Sequence, residues 1–576
     1  TVVANLDFDQ KLDFITKGLS FKALISFKNW SYNSKYRLQG YNTYQLTDYT
    51  KNEDGTYNYT VNSIGDATNH TLDSFFGTDG DRRFYIQGYF NYDRAFGDHH
   101  VGGMLLYNQD EYNSNVNSSL LNSLPKRRMG IAVRAAYDYA NRYLFEFNAG
   151  YNGSENFAKG HRFGFFPSVS VGWNISQEKF WEPIRNIVSN FKIRGSYGLV
   201  GNDQVPYTRF LYMGITTLND SPSYQTGYGS HKESHNGPTF SRFENEDMTW
   251  EVGHKLNVGA DIQLFNSLNL TVDAFREIRS NILTTKGSIP NYLGAAKTVI
   301  YGNFAKVKNW GVDLAVDYGK QINRDLSIQF KGTFTFARNR VMETDEAADI
   351  RPALSAVGKP LNTLWGYVAD GLYIDEADIA NNPTSTLGNI TIAAGDVKYV
   401  DQPDVNGNYD GQIDSDDRVA IGHPTIPEII YGFGPSITWK KWDFSVFFQG
   451  QANVSLMMSG FEPFGTQSKN NVLEWIAEDY WSKENQNPNA KYPRLTKYNN
   501  NNNMQSSTYW LRNAAFLKLK NAEVGYNFKW GRVYMSGTNL LTFSPFKLWD
   551  PEMGGGKGMA YPTQRTFNLG VQITFK

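Results

Sequence analysis

The sequence predicts an all-β protein, an antiparallel transmembrane β-barrel, and three observations carry that expectation. The first is period-two alternation. Leu256, Val258, Ala260, Ile262 and Leu264 interleave with Asn257, Gly259, Asp261 and Gln263. Tyr143, Phe145, Phe147, Ala149 and Tyr151 interleave with Leu144, Glu146, Asn148, Gly150 and Asn152, and Val312, Leu314, Val316 and Tyr318 with Asp313, Ala315 and Asp317. In a strand the two sets point to opposite faces, here one for lipid and one for a wet interior. The second is composition. The 576 residues are 15% aromatic and include 52 Gly, and mean hydropathy is −0.50. No run approaches the ~20 apolar residues of a membrane helix, whereas a barrel needs lipid-facing residues only at every second position. The third is the unequal length of the connections, short turns alternating with long loops.

Taken along the chain, tight turns are expected near Thr16–Gly18, Phe96–His99, Ala140–Arg142, Asn266–Leu268, Gly319–Asp325, Lys440–Lys441 and Lys529–Gly531. One longer turn, Ser176–Asn190, reads as a short helix presenting Phe180, Trp181, Ile184 and Ile187. With a final strand at Arg565–Phe575 this makes about 17 strands, where large outer-membrane transporters have ~22. Eight long connections lie between: 30–82, 109–128, 153–163, 200–252, 280–305, 339–428, 452–514 and 542–563. Short turns are periplasmic and long loops extracellular in bacterial barrels, which puts the C-terminus in the periplasm and Thr1 at the outer end of its strand. An open sheet edge cannot sit in lipid, so a partial set of strands needs another polypeptide to close it. Thr1–Asn5 has no signal-peptide character. The sequence is therefore expected to be one piece of a longer exported barrel, separated in an exposed outer loop of the kind proteases cut.

A formal net charge of −1 offers no basic face for nucleic acid. Zero cysteines exclude disulfides, thiolate metal sites and cysteine nucleophiles. His231 and His235 stand four apart in a Gly- and Asn-rich loop without a third ligand in pattern, which argues against a zinc site. No nucleophile elbow, phosphate loop or dinucleotide fingerprint is present, and Glu146, Asp261, Asp313 and Asp317 read as inner-wall solvation. An enzyme is not expected.

The motifs of residues 1–576 together resemble the C-terminal barrel part of the SusC-like TonB-dependent transporters of Bacteroidetes. Phe163-Gly164-Phe165-Phe166-Pro167-Ser168 leads to Gly172-Trp173, Phe180-Trp181 and Lys192-Ile193-Arg194-Gly195-Ser196-Tyr197-Gly198. Trp250-Glu251, Asn309-Trp310-Gly311-Val312-Asp313, Gly395-Asp396, Asp416-Asp417-Arg418, Ile421-Gly422 and Pro424 follow in order. So do Gly537, Asn539-Leu540, Asp550-Pro551-Glu552, Tyr561-Pro562, Arg565-Thr566 and Phe575, with Lys576 after the terminal aromatic as a small departure. The resemblance implies energised import of glycans or oligopeptides across the outer membrane. It also implies a plug domain that is not in this chain but on an N-terminal fragment reaching TonB, and a SusD-like surface lipoprotein over the mouth. A passive porin-like channel and a ligand-binding or adhesion barrel are the alternatives, separated from import by the plug and by dependence on the proton-motive force.

Two site expectations concern the long loops. Trp365, Tyr367 and Tyr373 in 339–428, and Trp475, Trp481, Tyr509 and Trp510 in 452–514, could stack on sugar or peptide cargo or pack the loops together. The two connections exceed ordinary loop lengths, which points to cargo or partner recognition there, with the strands as scaffold. The Asn-rich run Asn499–Asn503 reads as a flexible tip without chemistry. Asp404–Asp417 has the oxygen-rich spacing of an EF-hand-type loop: Asn406, Asn408, Asp410, the Gln412 carbonyl, Asp414 and Asp417, with Asp404 backing the weak first ligand. A structural Ca²⁺ is expected there, against an Asx-rich turn that needs no metal.

Overall fold

The structure, a computed structural model, describes residues 1–65, 73–115, 120–205, 209–288, 300–347, 350–388, 390–460, 472–496 and 500–575. Its main element is one antiparallel sheet of 17 strands, from Val2–Lys11 to Thr566–Ile573, each pairing with the next along the chain. The first strand pairs with Leu19–Leu38 and the last with Gly531–Phe543, and among the described residues each has no second neighbour. Among the described residues no helix is long and apolar enough to cross a membrane.

The short turns fall where the sequence places them. Gly97 adopts φ +62°, and Ala140, Asn141, Phe265, Asn266 and Lys440 also take positive φ, the geometry that right-twisted hairpins require of their central residues. The connection after Phe163–Asn174 differs in kind from the expected helix. It forms two 3₁₀ helices, Ile175–Gln177 and Lys179–Ile184, with Pro183 inside the second. Proline removes an amide donor and stops α-helical continuation. Trp181 anchors this connection, its ring 5.5 Å from Phe191 and its Nε1–H donating to the Val188 carbonyl at 3.0 Å. Phe180 and Ile187 remain exposed.

The two faces divide as alternation demands. Phe145, Leu256 and Val258 are 45%, 45% and 51% exposed, and a face of such residues is what a bilayer covers. The opposite face carries cross-strand ion pairs. Arg134 Nη2 donates to Glu146 at 2.7 Å, and Arg194 bridges Asp261 at 3.2 Å and Asp273 at 2.6 Å. Arg532 pairs with both Asp443 and Glu523; at the long-loop end of the other face, above Phe336, Arg338 holds Glu428 through Nε at 2.8 Å and Nη2 at 2.6 Å. These carboxylates do more than solvate a wall: they tie neighbouring strands together.

Several strands run far past the ~9–11 residues a bilayer needs. Leu19–Leu38 has 20 residues and Asp73–Phe96 has 24, so the expected loop 30–82 is largely sheet. It continues into a second hairpin, Thr43–Lys51 with Tyr57–Gly65. Connection 200–252 likewise contains a hairpin, Ile215–Thr226 with Glu233–Arg242. In both, alternating Tyr, Thr and Asn suit a pleated ribbon as well as a loop, so composition alone does not separate the two.

Candidate functional site

The long-loop end of the sheet holds the molecule's buried core. Connections 339–428, 452–514 and 542–563 interlock there around two hydrophobic clusters. One gathers Val454, Leu456, Met458, Ile476, Tyr492, Trp510, Ala514 and Phe546. The other gathers Tyr367, Leu372, Val397, Tyr399, Ile413, Trp481 and Ala490. Tyr509 packs against both.

Between them lies a buried polar centre. Gly395 takes φ +87°, and a Cβ there would sit 2.3 Å from the Trp481 ring; only glycine fits that approach. The turn delivers Asp396, which is fully buried. Arg494 donates to it through Nε at 2.7 Å and Nη2 at 2.9 Å, Asn500 and Asn503 each donate Nδ2 at 2.9 Å, and the Ala393 amide donates at 2.9 Å. Asn503 Oδ1 accepts from the Val397 amide, Asn502 Nδ2 donates to the Val397 carbonyl, and Ser385 Oγ donates to Asn502 Oδ1 at 2.7 Å. The asparagine run is therefore no flexible tip: Asn500, Asn502 and Asn503 are 0% exposed, while Asn499 lies outside the described residues. The last connection joins through Lys518, which is fully buried and reaches Asp550 at 2.5 Å and Glu552 at 2.6 Å. A bridge between Met458 and Gly556 ties it to 452–514 as well.

The seven aromatics expected as a stacking platform are part of this core. Tyr367, Tyr373, Trp481 and Trp510 are 3%, 2%, 7% and 3% exposed, which leaves no free ring face in this structure. Tyr367 packs on Tyr399 at 5.2 Å, Trp475 on Tyr492 at 5.1 Å, and Tyr509 edge-on to Trp510 at 5.2 Å. Tyr509 also donates its hydroxyl to the Ala490 carbonyl at 2.9 Å, and Trp365 is half-buried in a short ladder with Ala420. Burial pushes the Tyr492 hydroxyl up to about 12 and raises those of Tyr399 and Tyr509 further. All stay neutral at physiological pH. These rings pack within and between connections: Trp481 shares a cluster with Tyr367, Trp510 with Phe546, and Tyr509 lies against both clusters.

In the Asp404–Asp417 loop the carboxylates divide. Asp404 accepts from the Asn406 and Asn408 amides at 2.8 and 2.9 Å, and the Asn408 amide first among these holds its carboxyl below the ordinary value. Asp410 accepts from the Gln412 amide at 2.9 Å. These are Asx turns on an exposed rim, with Asn406 and Asn408 exposed. Asp414 and Asp417 cap a short 3₁₀ turn reciprocally, and burial raises the Asp417 carboxyl. Among the described residues no three His, Cys, Asp or Glu groups converge as a metal cluster.

On the charged face, a recess of about 500 Å³ is lined by His100, Arg134, Asp138, Glu146, Lys192 and Arg194. At the long-loop end of the N-terminal strands, the long ribbon changes character. In register, Phe21 faces Phe90 and Phe27 faces Phe84, but farther out the same face becomes Asn29 with Arg82 and Asn33 with Thr78. The opposite face there carries Trp30, Tyr32, Tyr36, Leu38 and Phe75 instead. The hairpin beyond it repeats the pattern. Leu46 with Val61 and Tyr49 with Tyr59 share one face with Tyr44 and Tyr57, while Gln45, Asn58, Thr60 and Asn62 take the other. All of its strand residues are exposed. The alternation that could have revealed this arm lies in the sequence, masked by the Asn- and Thr-rich composition.

Residues 1–540 match a family model described as TonB dependent receptor-like, beta-barrel. The TonB-dependent receptor P3 of Formosa agariphila is 26% identical over 479 residues, covering 77% of this chain and 45% of the relative. The TonB-dependent receptor SusC of Bacteroides thetaiotaomicron is 24% identical over 464 residues, covering 77% and 43%. Among solved structures, a chain of the RagAB peptide transporter superposes with TM-score 0.72 at 19% identity, covering all of this chain and 62% of the other. That likeness speaks for the fold alone. The chain spans about half the length of the curated relatives it matches.

Proposed function

Since the chain belongs to the TonB dependent receptor-like β-barrel family, we propose that it supplies most of the wall and the outer connections of an active nutrient importer in a bacterial outer membrane. The observation that carries this reading is the pairing of a 17-stranded sheet, apolar on one face and laced with Arg–carboxylate pairs on the other, with a consolidated cap at one end. A sheet of this kind separates lipid from a wet interior, and its free edges are closed by strands from the rest of the protein.

The long-loop end faces the outside of the cell and the short turns face the periplasm. Energy reaches the barrel through a plug and TonB contact carried outside this sequence. A SusD-like lipoprotein sits over the mouth, and the cargo is a glycan or an oligopeptide. The relatives' names support this assembly: one is SusC, and RagAB is named a peptide transporter. Cargo is selected by the outer connections together with the partner, and the strands act as scaffold. The burial of Tyr367, Tyr373, Trp481 and Trp510 supports a role for these rings in shaping the mouth rather than in touching cargo directly.

The test is uptake of labelled oligosaccharide and oligopeptide pools by cells that carry or lack the intact protein, with and without a protonophore. Accumulation that requires both the protein and the proton-motive force is expected. Protein-dependent entry that persists after the protonophore would instead indicate a passive channel, and surface retention without entry an adhesin.

A further inference from the structure

Asp401 is 7% exposed, yet among the described residues nothing donates a hydrogen bond to its Oδ1. Its Oδ2 accepts from the Gly411 amide at 2.9 Å, which turns the carboxylate into the Asp404–Asp417 loop. The next residue, Gln402, donates its amide to Asp417 Oδ1 at 2.7 Å, so the two buried acids flank one turn of chain. Asp417 is 2% exposed. The guanidinium of Arg351 pairs with Asp410 and Asp416. Among the described residues no Lys, Arg or His ion-pairs with Asp401, Asp414 or Asp417. A buried carboxylate with an unsatisfied oxygen and no counter-charge is costly to keep ionised, unless a cation completes it.

We propose that Asp401 and Asp417 hold a divalent cation, Ca²⁺ by the chemistry of its donors, at the base of this loop. Only oxygens are offered, and Ca²⁺ takes six to eight of them, readily including main-chain carbonyls and water. Two carboxylates with main-chain and amide oxygens of the 404–414 turn suit that habit, and no third acid need converge. This ligand set differs from the one the spacing suggests. Asn406, Asn408 and Asp410 lie on the exposed rim, and the decisive group, Asp401, lies outside the spaced motif.

The cation would act on the cap. Ile413, fully buried, inserts from this loop into the cluster of Tyr367, Tyr399 and Trp481. Gln412 and Ile413 also pair with Thr384 and Ser385. Pinning Asp401 to Asp417 therefore fixes the strand that wedges the cap together. The site stands whatever the cargo.

The experiment uses the protein purified from outer membranes in detergent, stripped with EGTA, dialysed and re-equilibrated with CaCl₂. Wild type should retain one more Ca²⁺ per chain than D401N by elemental analysis, with a dissociation constant on the order of 10⁻⁴ M or tighter. D401N should bind at least tenfold more weakly, and N406A should match wild type. Equal retention by wild type and D401N overturns the proposal. So does a loss confined to N406A, which would restore the ligand set of the spaced motif. Should D401N fail to assemble, wild type alone decides. Ca²⁺ should slow proteolytic cleavage within residues 390–420 at least tenfold, and unchanged cleavage overturns the site.

Discussion

Two regions at the same end of the sheet are built from similar residues and reach opposite states. Connections 339–428, 452–514 and 542–563 condense into a cap with two apolar clusters and a fully buried Asp396. The ribbon beyond Lys28 and its hairpin, Thr43–Gly65, are as rich in Tyr and Asn, yet every hairpin strand residue is exposed. The difference lies in partners, not composition. In the cap the central buried charge meets complements from a distant connection: Asp396 finds Arg494, Asn500 and Asn503. The hairpin's aromatic face has only itself, and a two-stranded ribbon is marginally stable alone in water. The cap is consolidated by its own contacts, and the arm presents an exposed face.

That contrast can be broken most severely at Asp396. Asp396→Ala strands Arg494 and two buried amides, at a cost of about 3–5 kcal/mol by comparison with broken buried pairs. Proteolysis within 390–400 and 500–512 should accelerate by well over tenfold, while the sheet keeps its heat-resistant mobility on gels. Lys518→Met comes next. It leaves Asp550 without its cation and Glu552 with Lys520 alone, and should cost about 3 kcal/mol, freeing 542–563 to cleavage. Adding Asp550→Asn and Glu552→Gln should recover part of that loss. Gly395→Ala is smaller: a positive φ and a Cβ 2.3 Å from Trp481 should cost about 1–3 kcal/mol, read as a lower midpoint for cap unfolding. Replacing Thr43–Gly65 by a short Gly-Ser linker should be the mildest for stability, within about 0.5 kcal/mol. It should nevertheless reduce co-purification of the proposed lipoprotein partner, which the cap variants with intact arms should retain.

The sheet was legible because its code is local. Period two with turn residues at Gly97, Asn141 and Asn266 marks strands wherever one face meets lipid and the other water. The cap was not, because its code is long-range. Asn500 and Asn503 look like solvent-loving turn formers until Asp396, a hundred positions earlier, supplies a buried charge for their amides. The rings of Trp481 and Trp510 posed the same ambiguity, since an indole serves equally in a core or a binding platform and only non-local neighbours decide. The arm was missed for a third reason. Its strands continue those of the sheet, but the apolar residues change faces near Trp30, so the pattern that identifies the wall stops there.

Hydrogen exchange followed by mass spectrometry on the intact purified protein tests the division between cap and arm most directly. Amides of 394–400 and 502–512 should exchange as slowly as those of the strand Glu251–Leu264, while 43–65 should exchange within seconds in the isolated protein. Rapid exchange throughout the cap, or slow exchange of 43–65 in the isolated protein, would contradict the account.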